Sequence, residues 1–153
     1  MAERPHVSLR PFEPGDAAAV HRWFNNPEAT ASLMEQRESF SLADAEAWVG
    51  RAIDGPAEDR KYAIAVEGYD EPVGFTALYG LFRQTAPELG ALIGDDVRGK
   101  GVGRRAEALT IAKAFDEFGA PSRLRWPRIV PSCFQPSPVT VFFATSLRAG
   151  MRP

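Results

Sequence analysis

The strongest constraint on how this chain can fold is the run RGKGVG at residues 98–103, in which glycine occupies every second position. Glycine opposes the interiors of helices and strands, because it loses more conformational freedom on folding than any other residue. Three glycines within five residues therefore indicate a backbone that bends sharply, or one that a ligand approaches closely.

The segments on the two sides of this turn have different patterns. The run ELGALIG at 88–94 is apolar and short, as in a strand, whereas apolar residues after the turn fall at helical spacings. Gly119 stands where a helix commonly ends. The turn is thus predicted to join a strand to the N-terminus of a helix. The predicted buried face of that helix consists of Ala108, Ile111, Ala112, Phe115 and Phe118.

A helix N-terminus after a glycine turn predicts an anion site. Its first N–H groups have no helical partner and carry partial positive charge, and the glycines remove the Cβ atoms that would keep a ligand away. Arg98, Lys100, Arg104 and Arg105 add positive charge, and phosphate is the usual anion at such sites. The alternative is a purely structural turn with solvated basic residues.

Two helices and three further strands are predicted upstream of the strand ELGALIG. HVSLRPF at 6–12 reads as a strand, and Asp16 is placed to cap a helix over AAAVHRWFNN. Ser41 and Asp44 have the spacing of a capping box, which predicts a second helix over 41–53. KYAIAVEG and VGFTALYGL are strand-like and joined at hairpin length. The second helix is predicted to bury Ala45, Trp48, Val49 and Ile53.

The order of these segments predicts an α+β fold. Strands grouped between helices favour a mostly antiparallel sheet over alternating βαβ units. A chain of 153 residues favours one domain with a single core.

Composition excludes several classes of protein. A net charge of -2 gives no whole-chain footprint for nucleic acid, which leaves only local basic patches, and no apolar run reaches the roughly 20 residues of a membrane span. The N-terminal residues lack the apolar core of a signal peptide. Cys133 is a single cysteine, so no internal disulfide can form, and we expect a cytoplasmic location.

Three phosphate-binding motifs can be compared with the turn. The P-loop requires Ser or Thr where this chain has Gly101, and the dinucleotide fingerprint requires glycine where it has Arg104. Arg98, Gly101 and Gly103 match the pattern R/Q-x-x-G-x-G/A throughout. This pattern resembles that of the GCN5-related N-acetyltransferases (GNAT), in particular the branch that acetylates ribosomal-protein N-termini and related amines.

The resemblance extends over roughly residues 7–119 and implies a site. Acetyl-CoA would be the co-substrate, with no metal. Backbone N–H groups from Arg98 to Gly103 would hold the pyrophosphate, and the strand edge would pair with the pantetheine arm. The implied cofactor-binding residues are Ala91, Leu92, Ile93, Arg98, Gly99, Lys100, Gly101, Val102 and Gly103.

Glu88, at the start of the motif strand, is the candidate general base. The family often places a carboxylate near this position, where it could accept the proton of the attacking amine. The alternative is a surface carboxylate at a strand end.

The C-terminal segment departs from the family pattern. Residues 1–119 form the predicted acetyl-CoA-binding core, whereas 120–153 contain no Asn, Tyr, Asp or Glu and are rich in proline. Phe142 and Phe143 stand near where the family has a Tyr. We expect a divergent or partly disordered segment, or the product of a shifted reading frame, and an exposed strand edge that favours pairing with a second copy as a homodimer.

Two functions follow from the resemblance. The first is an N-acetyltransferase that acts on a primary amine, either a protein N-terminus or a small molecule, with no nucleic-acid or membrane partner. The alternative, motivated by the atypical C-terminal segment, is a non-catalytic acyl-CoA-binding or interaction module. A nucleotide-phosphate enzyme is disfavoured by Gly101.

Overall fold

The computed structural model describes residues 4–27, 39–82 and 87–118. These ranges contain four strands, three α-helices and two short 3-10 helices, at Pro14–Asp16 and Asp95–Val97. The chain order of strands and helices is the one that the sequence predicts. The elements are β1 (Val7–Arg10), α1 (Ala17–Asn25), α2 (Leu42–Asp54), β2 (Arg60–Val66), β3 (Gly74–Tyr79), β4 (Glu88–Ile93) and α3 (Val102–Asp116).

The four strands form one antiparallel sheet in the order β1-β2-β3-β4. The β2–β3 and β3–β4 pairs are neighbours in sequence, whereas α1 and α2 lie between β1 and its partner β2. Among the described strands, β4 pairs only with β3 and forms one edge of the sheet. This confirms the predicted α+β class and antiparallel sheet.

The helices cover opposite faces of the sheet. Helices α1 and α2 pack on the face that carries Phe75, Ala77 and Leu92, and α3 packs on the face that carries Ile64 and Leu78. Strand side chains alternate between the two faces, so both faces must be apolar. Within the described ranges, none of the helices is long and apolar enough to span a bilayer.

Aromatic rings dominate the layer between α1, α2 and the sheet. The ring of Phe75 lies 5.0 Å from that of Trp48, 6.2 Å from that of Trp23 and 6.3 Å from that of Phe24, measured between centroids. These three aromatic residues of the helices are therefore packing residues.

The two predicted helix starts differ in outcome. Ser41 caps α2 as predicted: its Oγ accepts from Asp44 N (3.0 Å), and Ser41 N donates to the Asp44 carboxylate (2.9 Å). Asp16 precedes α1, but its carboxylate does not cap that helix. It accepts instead from Glu13 N (2.8 Å) and from both Nη atoms of Arg10 (2.8 Å each), because this buried carboxylate is better compensated by a guanidinium.

The predicted buried faces of two helices need correction. In α2, Ala45 and Val49 are buried as expected, but Ile53 is 45% exposed because it lies in the last turn. In α3, Ala108 and Ala112 are exposed. The buried positions of α3 are Val102, Ala106, Glu107, Thr110, Ile111 and Ala114.

Candidate functional site

The turn between β4 and α3 is built on two glycines in the left-handed region. After Gly94 the chain forms the 3-10 helix Asp95–Val97, and Gly99 and Gly101 then have φ values of +76° and +77°. Gly101 is the N-cap of α3. Side chains rarely tolerate this conformation, so it requires glycine at both positions.

The turn leaves room beside these two glycines. A Cβ added at Gly99 or Gly101 would meet nothing of the protein within 4 Å, whereas one at Gly94 would lie 2.8 Å from the carbonyl oxygen of Val73. Gly94 is thus required by close packing. The two glycines of the turn present bare backbone to an open surface, which fits a bound phosphate.

Only part of the predicted set of N–H groups is available there. Arg98 N donates to Asp95 O and Lys100 N to Val97 O, each at 3.3 Å, so these two groups close the turn. The first bond from α3 back to the turn runs from Arg105 N to Gly101 O (3.3 Å). The N–H groups of Val102, Gly103 and Arg104 therefore lie ahead of that bond, at the positive end of the helix dipole.

The basic side chains of the turn are held by local partners. Arg98 Nη2 lies 2.9 Å from Oδ1 of Asp95, and Oδ2 of the same carboxylate accepts from the side-chain amide of Asn26. Lys100 Nζ is 3.1 Å from the hydroxyl of Tyr69 and 5.8 Å from the centre of its ring. Arg98 thus braces the 3-10 helix, and Lys100 adds a positive charge beside the bare backbone.

Strand β4 leads directly into the turn, and the predicted pantetheine residues lie on it. Ala91 and Leu92 pair with Thr76 and Phe75 of β3, respectively. Leu92 is buried toward α1 and α2, and Ile93 toward α3. Of the described strands, none pairs with the opposite edge of β4, so that edge can accept an added strand.

Glu88 lies at the other end of β4, opposite Tyr79 and on the face of α1 and α2. It is exposed. Beside it, Lys61 Nζ lies 5.4 Å from the ring centre of Tyr79, and burial lowers the pKa of this lysine. The structure therefore separates Glu88 from the glycine turn by the length of one strand.

Glu107 is a candidate that the sequence analysis missed. It is 3% exposed, and its Oε1 has no hydrogen-bond partner among the described residues. Burial raises the pKa of Glu107 to about 7, against the opposing effect of Arg104. The available signal was its position between Gly103 and Ile111 on one face of α3, at helical spacings of four.

Two clefts near the turn are unsuited to phosphate. They have volumes of about 160 and 340 Å³ and share Arg22, Pro72, Val73 and Asp96. Asp70 and Glu71 line the larger cleft, and Asp95 lines the smaller. These carboxylates would repel an anion. Within the described ranges, no three His, Cys, Asp or Glu side chains form a group that could hold a metal ion.

Comparisons with known proteins agree with this geometry. The family model described as an acetyltransferase (GNAT) domain matches residues 6–134. A GNAT-family acetyltransferase from Bacillus anthracis has a similar structure, with 22% identity, a TM-score of 0.63 and coverage of 78% of this chain and 68% of that one.

Two further solved structures have the same fold. Spermidine N-acetyltransferase from Vibrio cholerae, in complex with CoA and spermine, shows 20% identity and a TM-score of 0.64, with coverage of 74% of this chain and 66% of that one. An acetyltransferase from Thermus thermophilus shows 26% identity and a TM-score of 0.55, with coverage of 69% and 68%. This chain spans about two thirds of the length of these proteins. No curated protein matches it.

Proposed function

This chain belongs to the GNAT acetyltransferase family, and we propose that it transfers the acetyl group of acetyl-CoA to a primary amine. The observation that carries the proposal is the turn at Gly99 and Gly101, where left-handed backbone and open space coincide at the N-terminus of α3. A pyrophosphate is a doubly charged anion that suits such N–H groups.

The elements around the turn have complementary roles in this proposal. The N–H groups of Gly99, Gly101, Val102, Gly103 and Arg104 hold the pyrophosphate, with Lys100 as a nearby positive charge. The free edge of β4, at Ala91, Leu92 and Ile93, pairs with the two amides of the pantetheine arm, as an added strand would. The six residues of β4 then direct the acetyl group toward its Glu88 end.

The chemistry needs a base and a polarised carbonyl. Acetyl-CoA supplies a thioester that a neutral amine can attack. A backbone N–H group of β4 donates to the acetyl oxygen as negative charge develops on it. Glu88 accepts the proton that the amine loses, directly or through water, as the bond from nitrogen to the acetyl carbon forms and the bond from carbon to sulfur breaks. CoA leaves as a thiolate, which takes up a proton from water or from an acid.

The exposed position of Glu88 also favours the second candidate function, an acyl-CoA-binding module without catalysis. Carboxylates that act as general bases are commonly shielded from solvent, and the side chain of Glu88 is not. Such a module would retain the turn and β4, and would bind acetyl-CoA without turning it over.

The acceptor amine is proposed at the level of chemical class. Protein N-termini are the acceptors of the branch that the motif resembles, and the fold neighbour from Vibrio cholerae is a spermidine N-acetyltransferase. A panel containing an alanine-initiated peptide, spermidine and an aminoglycoside covers these classes.

Gly101→Val tests the role of the turn, and Gly50→Ala is the matched control. A Cβ at either position would meet nothing within 4 Å, but only Gly101 has a positive φ. We expect Gly101→Val to abolish acetyl-CoA binding in calorimetry, because valine disfavours the left-handed conformation and its branches would enter the phosphate site. Gly50→Ala should bind like the wild type.

Thiol release with the amine panel separates the two candidate functions. Wild-type protein that binds acetyl-CoA and releases CoA with one of these amines is an acetyltransferase. Binding without thiol release from any of them supports the binding module. A folded Gly101→Val protein with wild-type affinity would show that the phosphate site is misplaced.

A further inference from the structure

The side chain of Glu107 lies in the layer between α3 and the sheet. One turn further along α3, the hydroxyl groups of Thr110 and Thr76 are hydrogen-bonded at 2.7 Å, so this part of the helix lies directly over β3. Thr76 pairs with Ala91 of β4. Glu107 thus lies close to the strand that is proposed to pair with pantetheine.

The helical geometry places Glu107 on the β4 side of that layer. Arg105 Nη1 donates to Pro5 O at 2.6 Å and so marks the side of β1. Two residues along an α-helix rotate the side chain by about 200°, which directs Glu107 to the opposite side. Ile111, one turn after Glu107, belongs to the same apolar cluster as Leu89 of β4.

One turn of α3, from Ile111 back to Glu107, is about as long as two residues of a strand. Because β4 runs antiparallel to α3, this step corresponds to the step from Leu89 to Ala91. This spacing places Glu107 near Ala91 on the α3 face of β4, where a methyl group is too small to cover a carboxyl group. Ala91 is half-buried at the edge of the sheet.

Among the described residues, Arg104 is the one charged group that acts on the pKa of Glu107. Its Oε1 is buried with no hydrogen-bond partner among the described residues. A buried polar group without a partner is costly, and burial favours its neutral form. A neutral carboxyl group carries an O–H donor that an ionised one does not.

The other ionisable groups around Glu107 are few. On α3 itself, Arg104 opposes the rise in its pKa, and Lys113 lies over the ring of Tyr62 on β2. Burial raises the pKa of Tyr62 above its ordinary value of 10. The side chains that face α3 from the other strands are Val7, Leu9, Thr76, Leu78, Leu89, Ala91 and Ile93, which do not titrate.

We infer that Glu107 is a positioning residue for the pantetheine arm, whose amide carbonyl accepts a hydrogen bond from the protonated carboxyl group. This inference rests on the proposed function, because it places pantetheine along the edge of β4. It adds a side-chain donor to the backbone contacts of that strand. Deprotonation of Glu107 removes the donor and weakens acetyl-CoA binding, but leaves the phosphate contacts of the turn unchanged.

Calorimetry at pH 6 and pH 8 with two ligands tests the inference. Acetyl-CoA contains pantetheine, whereas adenosine 3′,5′-bisphosphate does not. Each affinity is expressed relative to that of Glu107→Gln for the same ligand, so titration of the ligand phosphates cancels. Glu107→Gln retains an N–H donor at both pH values, Glu107→Leu has none, and Glu46→Gln, at an exposed position of α2, is the control.

We expect wild type and Glu107→Gln to bind acetyl-CoA equally at pH 6. At pH 8 the wild type should bind about threefold to tenfold more weakly, the effect of one neutral hydrogen bond. Glu107→Leu should show that loss at both pH values, and no variant should change bisphosphate affinity by more than about twofold.

Two other outcomes are distinguishable. The wild type could bind both ligands while the ratio of its acetyl-CoA affinity to that of Glu107→Gln is the same at both pH values. The inferred role of Glu107 would then be wrong, and the proposed function would stand. A loss that is equal for both ligands would show a structural effect on the turn and would also overturn the inference. If a folded wild-type protein binds neither ligand, the proposed function fails as well.

Discussion

Asp16 and Glu107 are both buried carboxylates, but their pKa values are shifted in opposite directions. Burial would raise the pKa of Asp16, but the hydrogen bonds from Arg10 and from Glu13 N outweigh it, and the pKa is lowered. Among the described residues, the buried carboxyl group of Glu107 meets no comparable partner, and its pKa rises to about 7. At the scale of single residues, the cation within reach decides whether a buried acid stabilises the fold.

Arg10→Ala is expected to lower the free energy of unfolding by about 2 kcal/mol, because it leaves the Asp16 carboxylate buried and short of two charge-assisted bonds. The matched control is Arg22→Ala. Arg22 pairs with Glu71 at 2.6 Å, but both side chains are more than half exposed, so we expect a loss below about 1 kcal/mol. Urea denaturation at pH 7 measures both, and equal losses would contradict the importance of burial.

We expect the titration of Glu107 to make the free energy of unfolding depend on pH. Its pKa is higher in the folded protein than its ordinary value of 4.5, so the folded state binds the proton more tightly. The resulting stabilisation is complete below pH 4.5 and is lost as the pH rises through about 7. The shift corresponds to about 3 kcal/mol at most.

Urea denaturation of wild type and Glu107→Gln between pH 5 and pH 8 checks this expectation. Glutamine cannot ionise, so the variant should gain stability relative to the wild type as the pH rises. A constant difference between the two proteins over this range would show that Glu107 does not titrate there.

The sequence identifies the residues of the turn but not the environment of the carboxylates. The roles of Gly99 and Gly101 were predictable, because a positive φ favours glycine and glycine is visible in the sequence. Glu88 and Glu107 carry the same side chain, and only the packing of α3 on the sheet makes one exposed and the other buried. That packing is a long-range property that local spacing does not encode.

Helix α3 shows the same limit at the scale of an element. Its boundaries follow from the turn and from helical spacing, but its buried face does not. Aromatic and aliphatic residues alone predict a face through Ala108 and Ala112, whereas the helix is rotated so that Thr110 meets Thr76. The rotation is favoured because each buried hydroxyl then has a partner.

A double-mutant cycle on these threonines measures how far they fix α3 on the sheet. Ala106 O can only accept, so the single hydroxyl proton of Thr110 serves that carbonyl and the Thr76 hydroxyl donates to Thr110 Oγ1. Thr76 is therefore the residue that depends on the pair. We expect Thr110→Val to cost about 1–2 kcal/mol, since the Thr76 hydroxyl is then unsatisfied.

The variant with valine at both positions should be more stable than the sum of the single losses predicts, by about 1 kcal/mol. Urea denaturation of the four proteins gives this coupling. Additive losses would show that the two hydroxyl groups do not depend on each other.

At the scale of the whole molecule, the chain order of strands and helices and the antiparallel meander could be predicted, and the site only in outline. The meander from β2 to β4 follows from short hairpin connections, which leave few alternative pairings. The sequence also placed the glycine turn after β4, and the family assignment agrees with that placement. The predictions for Phe142, Phe143 and the rest of 120–153 lie outside the described residues, and the roles of Glu88 and of a homodimer stay predictions.

The pairing of β1 with β2 has a consequence for the time course of folding. Arg10 of β1 pairs with Ala63 of β2, so the loop that this pairing closes contains all of α1 and α2. The connections between β2, β3 and β4 are short. Closing a long loop costs entropy before any contact compensates for it, which delays such pairings. Leu9→Ala in β1 should therefore accelerate unfolding and leave refolding nearly unchanged, whereas Leu78→Ala in β3 should slow refolding. Stopped-flow kinetics in urea measures both rates. The expected result would mean that β1, the strand nearest the N-terminus, is the last of the four to join the sheet. Equal effects of the two variants on the refolding rate would contradict this order.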